Sequence, residues 1–132
     1  MSAVNAINEA IEDVVAMMNE TDLFATVRRG ALATGESLSC EIGISVPDTH
    51  FLNKDIIVPV DLTLNGKHEN LKTVTDAMNA IHYNLTRRKA YPAGVGWEIV
   101  DIVDATLPNI IGRETNNMWL LASSLTVKVH IM

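Results

Sequence analysis

The chain has 132 residues, 48% of them hydrophobic and 20% charged, which is enough apolar material for one folded domain spanning 1–132 without staples. Sixteen acidic against ten basic residues give a net charge of -6, which argues against general attraction to nucleic acid or to an anionic membrane surface. No basic residue precedes Arg28, and no apolar run approaches the ~20 residues that cross a bilayer, so neither a secretory leader nor a membrane span is expected.

Taken in order, the spacing predicts a first helix from about Ala3 to Asn19, with Val4, Ile7, Ile11, Val14 and Met18 on one face. Its acidic residues lie mostly off that stripe, as on a solvated helix face. Leu23 to Ala33 reads as an irregular strand carrying Arg28 and Arg29, closed by a hairpin turn at Thr34-Gly35-Glu36. Leu38 to Val46 alternates cleanly, with Leu38, Cys40, Ile42, Ile44 and Val46 inward and Ser39, Glu41, Gly43 and Ser45 on a wet face. Cys40 is the only cysteine; it sits in an apolar row and reads as a buried structural thiol rather than a nucleophile.

Pro47 to Asn53 is a polar connection. The strand that follows, Lys54 to Asn65, places Ile56, Val58, Val60, Leu62 and Leu64 on one face. Pro59 in its middle predicts an edge strand, a bulge, or an amide turned away from the neighbouring strand. After a tight turn at Asn65-Gly66 the period changes, and Leu71, Val74, Met78, Ile81 and Leu85 mark a helix from about Glu69 to Arg88. Its basic end, Arg87-Arg88-Lys89, complements the helix dipole or forms a positive patch. Strands are then expected from Trp97 to Thr106 and from Met118 to Ile131. Between them Leu107 to Asn117 reads as a long connection, and its Ile110-Ile111 pair, followed by Gly112-Arg113-Glu114, calls for cover by another molecule. The expected fold is α+β: two helices packed on one face of a mostly antiparallel sheet, in the order α-β-β-β-α-β-β, ending in a long C-terminal hairpin.

Reaction chemistry is not legible. The four histidines, at 50, 68, 82 and 130, lack metal-ligand spacing, so neither a metal site nor a cofactor is expected. His82 adjoins the second helix's apolar stripe and reads as structural. Asp101 and Asp104 are three apart on a strand and point to opposite faces, which does not make a paired acid and base. No nucleophile elbow, phosphate loop or dinucleotide fingerprint occurs, and nothing raises the expectation of an enzyme.

The element order and the acidic first helix, together with Asp101-Ile102-Val103-Asp104-Ala105-Thr106, Ile110-Ile111-Gly112-Arg113-Glu114 and Trp119-Leu120-Leu121-Ala122-Ser123-Ser124-Leu125, resemble the tail terminator (minor tail, or tail-completion) family of long-tailed bacteriophages and prophages. That resemblance implies a virion protein assembled in the bacterial host cytoplasm, a hexameric ring that caps the tail tube and joins it to the head. It implies tail-tube and head-completion proteins as partners, passage of DNA, and no catalytic residues. On this reading Ile110, Ile111 and Arg113 contact subunits or partners, while Arg28, Arg29, Arg87, Arg88 and Lys89 face a lumen. The alternatives are another head–tail connector protein, or a small α+β enzyme or ligand-binding domain with a cleft between helix and sheet.

Overall fold

The periods read from the chain become two helices and seven strands in a computed structural model, which describes residues 3–44, 49–50, 55–114 and 116–132. Helix α1 is Ala3–Met18 and α2 is Leu71–Thr86. The strands are β1 Val27–Arg29, β2 Ser37–Ile44, β3 Thr49–His50, β4 Ile56–His68, β5 Ala93–Gly94, β6 Trp97–Arg113 and β7 Trp119–Ile131. They form one sheet in the order β1-β2-β4-β7-β6-β5, with β3 also paired to β4. Every pairing is antiparallel except β1 with β2. Ser45–Asp48 and Phe51–Lys54, which carry the end of the expected second strand and most of the Pro47–Asn53 connection, lie outside the described residues, as does Thr115.

Both helices cover the same face. Val58, Val60, Leu62 and Leu64 of β4 meet Leu121, Leu125, Val127 and Val129 of β7 in a continuous buried row. Val74, Met78, Ile81 and Leu85 of α2 close over it, with Ile7, Ile11, Val14 and Met18 of α1 beside them. Val4, expected on the α1 stripe, is exposed; Ala6, Ala10 and Met17 are buried instead. Trp97 is also buried, and its indole N–H donates to Glu9 Oε2 of α1 at 2.8 Å. Gly94 lets that ring lie against the backbone, since a Cβ there would fall 2.4 Å from the indole nitrogen.

Gly66 is not a turn glycine. Strand β4 runs through it to His68, and a Cβ would meet Val74 Cγ2 at 2.7 Å and Met78 Sδ at 2.9 Å. The residue is glycine because α2 packs directly on the β4 backbone. The change of direction comes later. Asn70 caps α2, its Oδ1 accepting from Thr73 N, while its own N–H donates to His68 Nδ1 at 2.8 Å. Pro59 lies in an interior strand rather than at an edge. Val60 and Ile57, on either side of it, pair with Ile44 of β2 and Thr49 of β3, and on the other side Pro59 stands opposite Lys128 of β7.

Two further expectations change. Leu23–Ala33 does not pair with β2 as a hairpin: only Val27–Arg29 is a strand, and it runs parallel to β2. Gly30 (φ +109°) redirects the chain, so residues 31–36 loop back beside β1. Ser39, on the face expected to be wet, is buried, as is Ser37 just before the expected strand. At the far end, the expected Leu107–Asn117 connection is mostly strand. β6 has 17 residues against 13 in β7, and register shifts after Ile99, Asp104, Thr106 and Ile110 absorb the difference. The first shift explains a conflict in the sequence: Ile99 and Ile102 both face the core, opposite Val129 and Val127, and Val100 is turned out. The reversal itself is short, with Glu114 N–H donating to Met118 O and Asn117 in the left-handed region. Lys67 of β4, buried, pairs through Nζ with Glu114 Oε1 at 2.7 Å and fastens that reversal to the sheet.

Candidate functional site

The two outer edges of the sheet differ in kind. β6 is covered on its far side by β5 only at Trp97 and Glu98, and Ile99 N–H donates to Pro92 O. Beyond that, Val100, Val103, Leu107, Ile110 and Ile111 are exposed, which is half of the ten exposed large hydrophobics among the described residues. Scattered exposed apolar residues are ordinary, but here half of them lie on one edge strand. Bulges and Pro108 interrupt the backbone donors along this edge, so it presents side chains more readily than a clean ladder. Ile110 and Ile111 stand where a contact was expected. Arg113 lies with its guanidinium 4.7 Å above the Trp119 ring, so this expected contact residue is stacked on its own hairpin.

The opposite edge is β1. Beside it Ala25, Ala31, Ala33 and Leu38, together with Thr26, Arg28, Glu36 and Ser37, line an open depression of about 360 Å³. Glu36 is held by His68 Nε2 at 3.0 Å.

The five basic residues expected to face a lumen stand on two separate elements. Arg28 and Arg29 are exposed on β1. Arg88 is engaged, donating to Glu20 Oε2 at 2.7 Å and to Asn84, so it ties the end of α2 to the end of α1. Arg87 lies over the Tyr83 ring at 4.8 Å, and Lys89 is exposed.

One constellation escaped the sequence reading. His82 of α2 joins Asp104 of β6 through Nδ1 and Ser123 of β7 through Nε2, both at 2.7 Å. The connectivity is that of a Ser-His-Asp triad, but the burial runs the wrong way. A nucleophilic serine must meet substrate while its aspartate is sheltered; here Ser123 is 3% exposed and the Asp104 side chain 41%. Ser123 is the one polar residue in the inner row of β7, and His82 satisfies its hydroxyl. We read the trio as a pin between α2 and the β6–β7 hairpin. The bulged spacing turns Asp104 toward α2, which a strict two-residue period hides.

Cys40 is fully buried, and that burial pushes its thiol up to about 11, so it is inert at neutral pH. Among the described residues no group of three acidic, histidine or cysteine side chains could hold a metal ion. Among the described residues no helix is long and apolar enough to cross a membrane.

On the outer face His130 bridges Glu98 (Nδ1 to Oε1, 2.9 Å) and Asp55 (Nε2 to Oδ2, 3.2 Å). The bond to Glu98 first, and that to Asp55 second, raise its pKa above 6.5, whereas desolvation opposes them. A raised folded pKa stabilises fully below pH 6.5, and the effect is lost as pH rises through the folded value. His130→Gln is therefore expected to lower stability at pH 5.5, by about 0.5 kcal/mol for a solvent-screened pair, and to approach wild type at pH 8.5, as followed by thermal melts.

Comparison with protein-family models gives no match, and neither does comparison with curated proteins. Among solved structures, a chain of a particle described as "Virion of native gene transfer agent (GTA) particle" has the same fold. The TM-score is 0.56 at 14% identity, over 98% of this chain and 98% of that one.

Proposed function

We propose that this protein is a non-catalytic structural subunit of a phage-like particle, and more narrowly a tail terminator. In that role copies close into a ring, with six subunits as the expected number, that caps the tail tube and joins it to the head. The observation that carries the proposal is the end-to-end fold likeness to a chain of the gene transfer agent virion, in a molecule that leaves one sheet edge apolar and bare. A subunit of a particle needs such a surface, because its contacts lie outside its own core. The protein belongs in the virion on this reading, assembled in a bacterial cytoplasm against tail-tube and head-completion proteins. Of the basic residues, Arg28, Arg29, Arg87 and Lys89 are exposed and are assigned to a DNA-facing lumen, whereas Arg88 is engaged with Glu20.

Native mass spectrometry with negative-stain imaging tests the ring. Wild type at high concentration should give a closed oligomer with a central hole, and Ile110→Ser with Ile111→Ser should give a folded monomer. A wild type that stays monomeric, alone and with its tail tube, would sink the proposal. The stage at which particles stall without the protein separates the two virion roles: overlong unattached tails mark a terminator, and tails of normal length that lack heads mark a connector.

A further inference from the structure

We infer that His68 is a proton-operated latch at the corner where β4 enters α2: the neutral ring holds the corner shut, and a proton on Nδ1 opens it. The latch belongs to a single subunit and works whether or not copies close into a ring.

The partners of the imidazole specify its protons. Nδ1 accepts the backbone N–H of Asn70 at 2.8 Å, so it carries no hydrogen, and Nε2, 3.0 Å from Glu36 Oε2, is the nitrogen that donates. The neutral Nε2–H tautomer satisfies both bonds at once. The imidazolium cannot, because both its nitrogens donate, and a hydrogen on Nδ1 would meet the Asn70 N–H head-on. The bond to Glu36 survives the proton; the bond to Asn70 does not. Swinging the ring clear would give up Glu36 and the edge-on contact with Phe24, whose ring centroid lies 4.8 Å away. Asn70 is therefore the group that yields, and its Oδ1 is what caps α2 through Thr73 N–H. His130 is the opposite case, with a carboxylate on each nitrogen, an arrangement that the imidazolium satisfies.

Charged groups stand around the corner on several elements. Arg28 of β1 shares the depression with Glu36. On β4 itself Lys67 is paired to Glu114, and across from His68 Trp119 of β7 carries Arg113 over its ring. Glu69 is next in the chain, Lys72 and Asp76 of α2 pair with each other, and Asp22 lines a cleft with Phe24, Thr73 and Asp76. Among the described residues Glu36 is the one charged group that bonds the imidazole, so a proton on Nδ1 acts on a neutral backbone partner.

Nuclear magnetic resonance on the full chain tests the latch. At pH 7.5 the imidazole nitrogens of wild-type His68 should report the Nε2–H tautomer, and the Asn70 amide proton should stand downfield as a bonded one. Lowering the pH to 5 should protonate the imidazole and move the Asn70 amide upfield. Exchange of the Asn70 and Thr73 amides, corrected for the intrinsic rate, should quicken by roughly fivefold, with Ile81 and Leu85 unchanged. Two variants, each checked for wild-type folding by circular dichroism, separate the two nitrogens. His68→Asn puts an oxygen where Nδ1 lies and cannot titrate, so its Asn70 amide should stay bonded at both pH values although every nearby carboxylate still titrates. His68→Gln reaches Glu36 but offers Asn70 no acceptor, so its Asn70 amide should look released at both. An Nδ1–H tautomer at pH 7.5, an imidazole still neutral at pH 5, or one that titrates without moving the Asn70 amide would each overturn the latch. An Asn70 amide that shifts equally in His68→Asn would assign the effect to the carboxylates and overturn it too.

Discussion

Replacing His82 by alanine is expected to lower the folding free energy by about 3 kcal/mol, combining a cavity in a closed core with an orphaned hydroxyl. His82 is buried and touches two partners, so its loss frees Ser123 Oγ in the middle of the β7 inner row and releases Asp104. The two released groups are unequal. Asp104 is half in water and resolvates, but Ser123 has no route to solvent. Ser123→Ala alone should cost about 1–2 kcal/mol, because His82 Nε2 is then the buried group without a partner. The informative variant is the pair. His82→Leu with Ser123→Ala removes both ends of the bond and fills the space with carbon, so it should be more stable than His82→Ala and close to Ser123→Ala. Urea denaturation of wild type, His82→Leu, Ser123→Ala and the pair closes the cycle. Losses that simply add would mean the bond carries no coupling and the pin is not real. A catalytic serine would behave otherwise: its removal would abolish an activity and leave stability nearly untouched.

The second large effect is expected at Gly66. Any side chain there enters space occupied by Val74 Cγ2, Met78 Sδ and, at 3.2 Å, Leu38 Cδ2. Met78 can swing aside. Val74 cannot, since a β-branched residue in a helix has essentially one rotamer, so α2 itself must lift. Gly66→Ala is expected to cost about 1–3 kcal/mol by overpacking, less about 0.5 kcal/mol returned through a stiffer unfolded chain. Gly66→Val should be worse and should approach loss of the native state. Val74→Ala opens space at the closest contact, so it should relieve Gly66→Ala and make the double variant less destabilised than the sum of the singles. Thermal and urea midpoints check both. A Gly66→Ala protein as stable as wild type would show that α2 does not pack on the β4 backbone as described.

These two sites also show where a one-dimensional reading stops. Gly66 follows Asn65, and an Asn-Gly pair between a strand pattern and a helix pattern is a turn signal by local rules. What makes it a packing glycine lies eight and twelve residues away, on the helix that returns over it. Pro59 reads locally as an edge marker, yet it belongs to an interior strand, paired with β7 on one side and with β2 and β3 on the other. Asp104 and Ser123 are unremarkable strand residues until a bulge and a helix bring His82 between them.

What the chain settled by itself is the set of faces. Apolar residues every two positions in β4 and β7, and every three or four in α1 and α2, fixed two helices on one side of a sheet, because each stripe must leave water and only the others can cover it. What only the tertiary structure decided is everything that depends on neighbours distant in sequence. That includes the parallel pairing of β1, the bulges that turn an expected loop into an edge strand, the buried pin at His82, and the bare ridge facing outward at Ile110 and Ile111. The physical reason is that periodicity records whether a side chain is wet or dry, whereas strand order, register and partner choice are set by which dry surfaces meet.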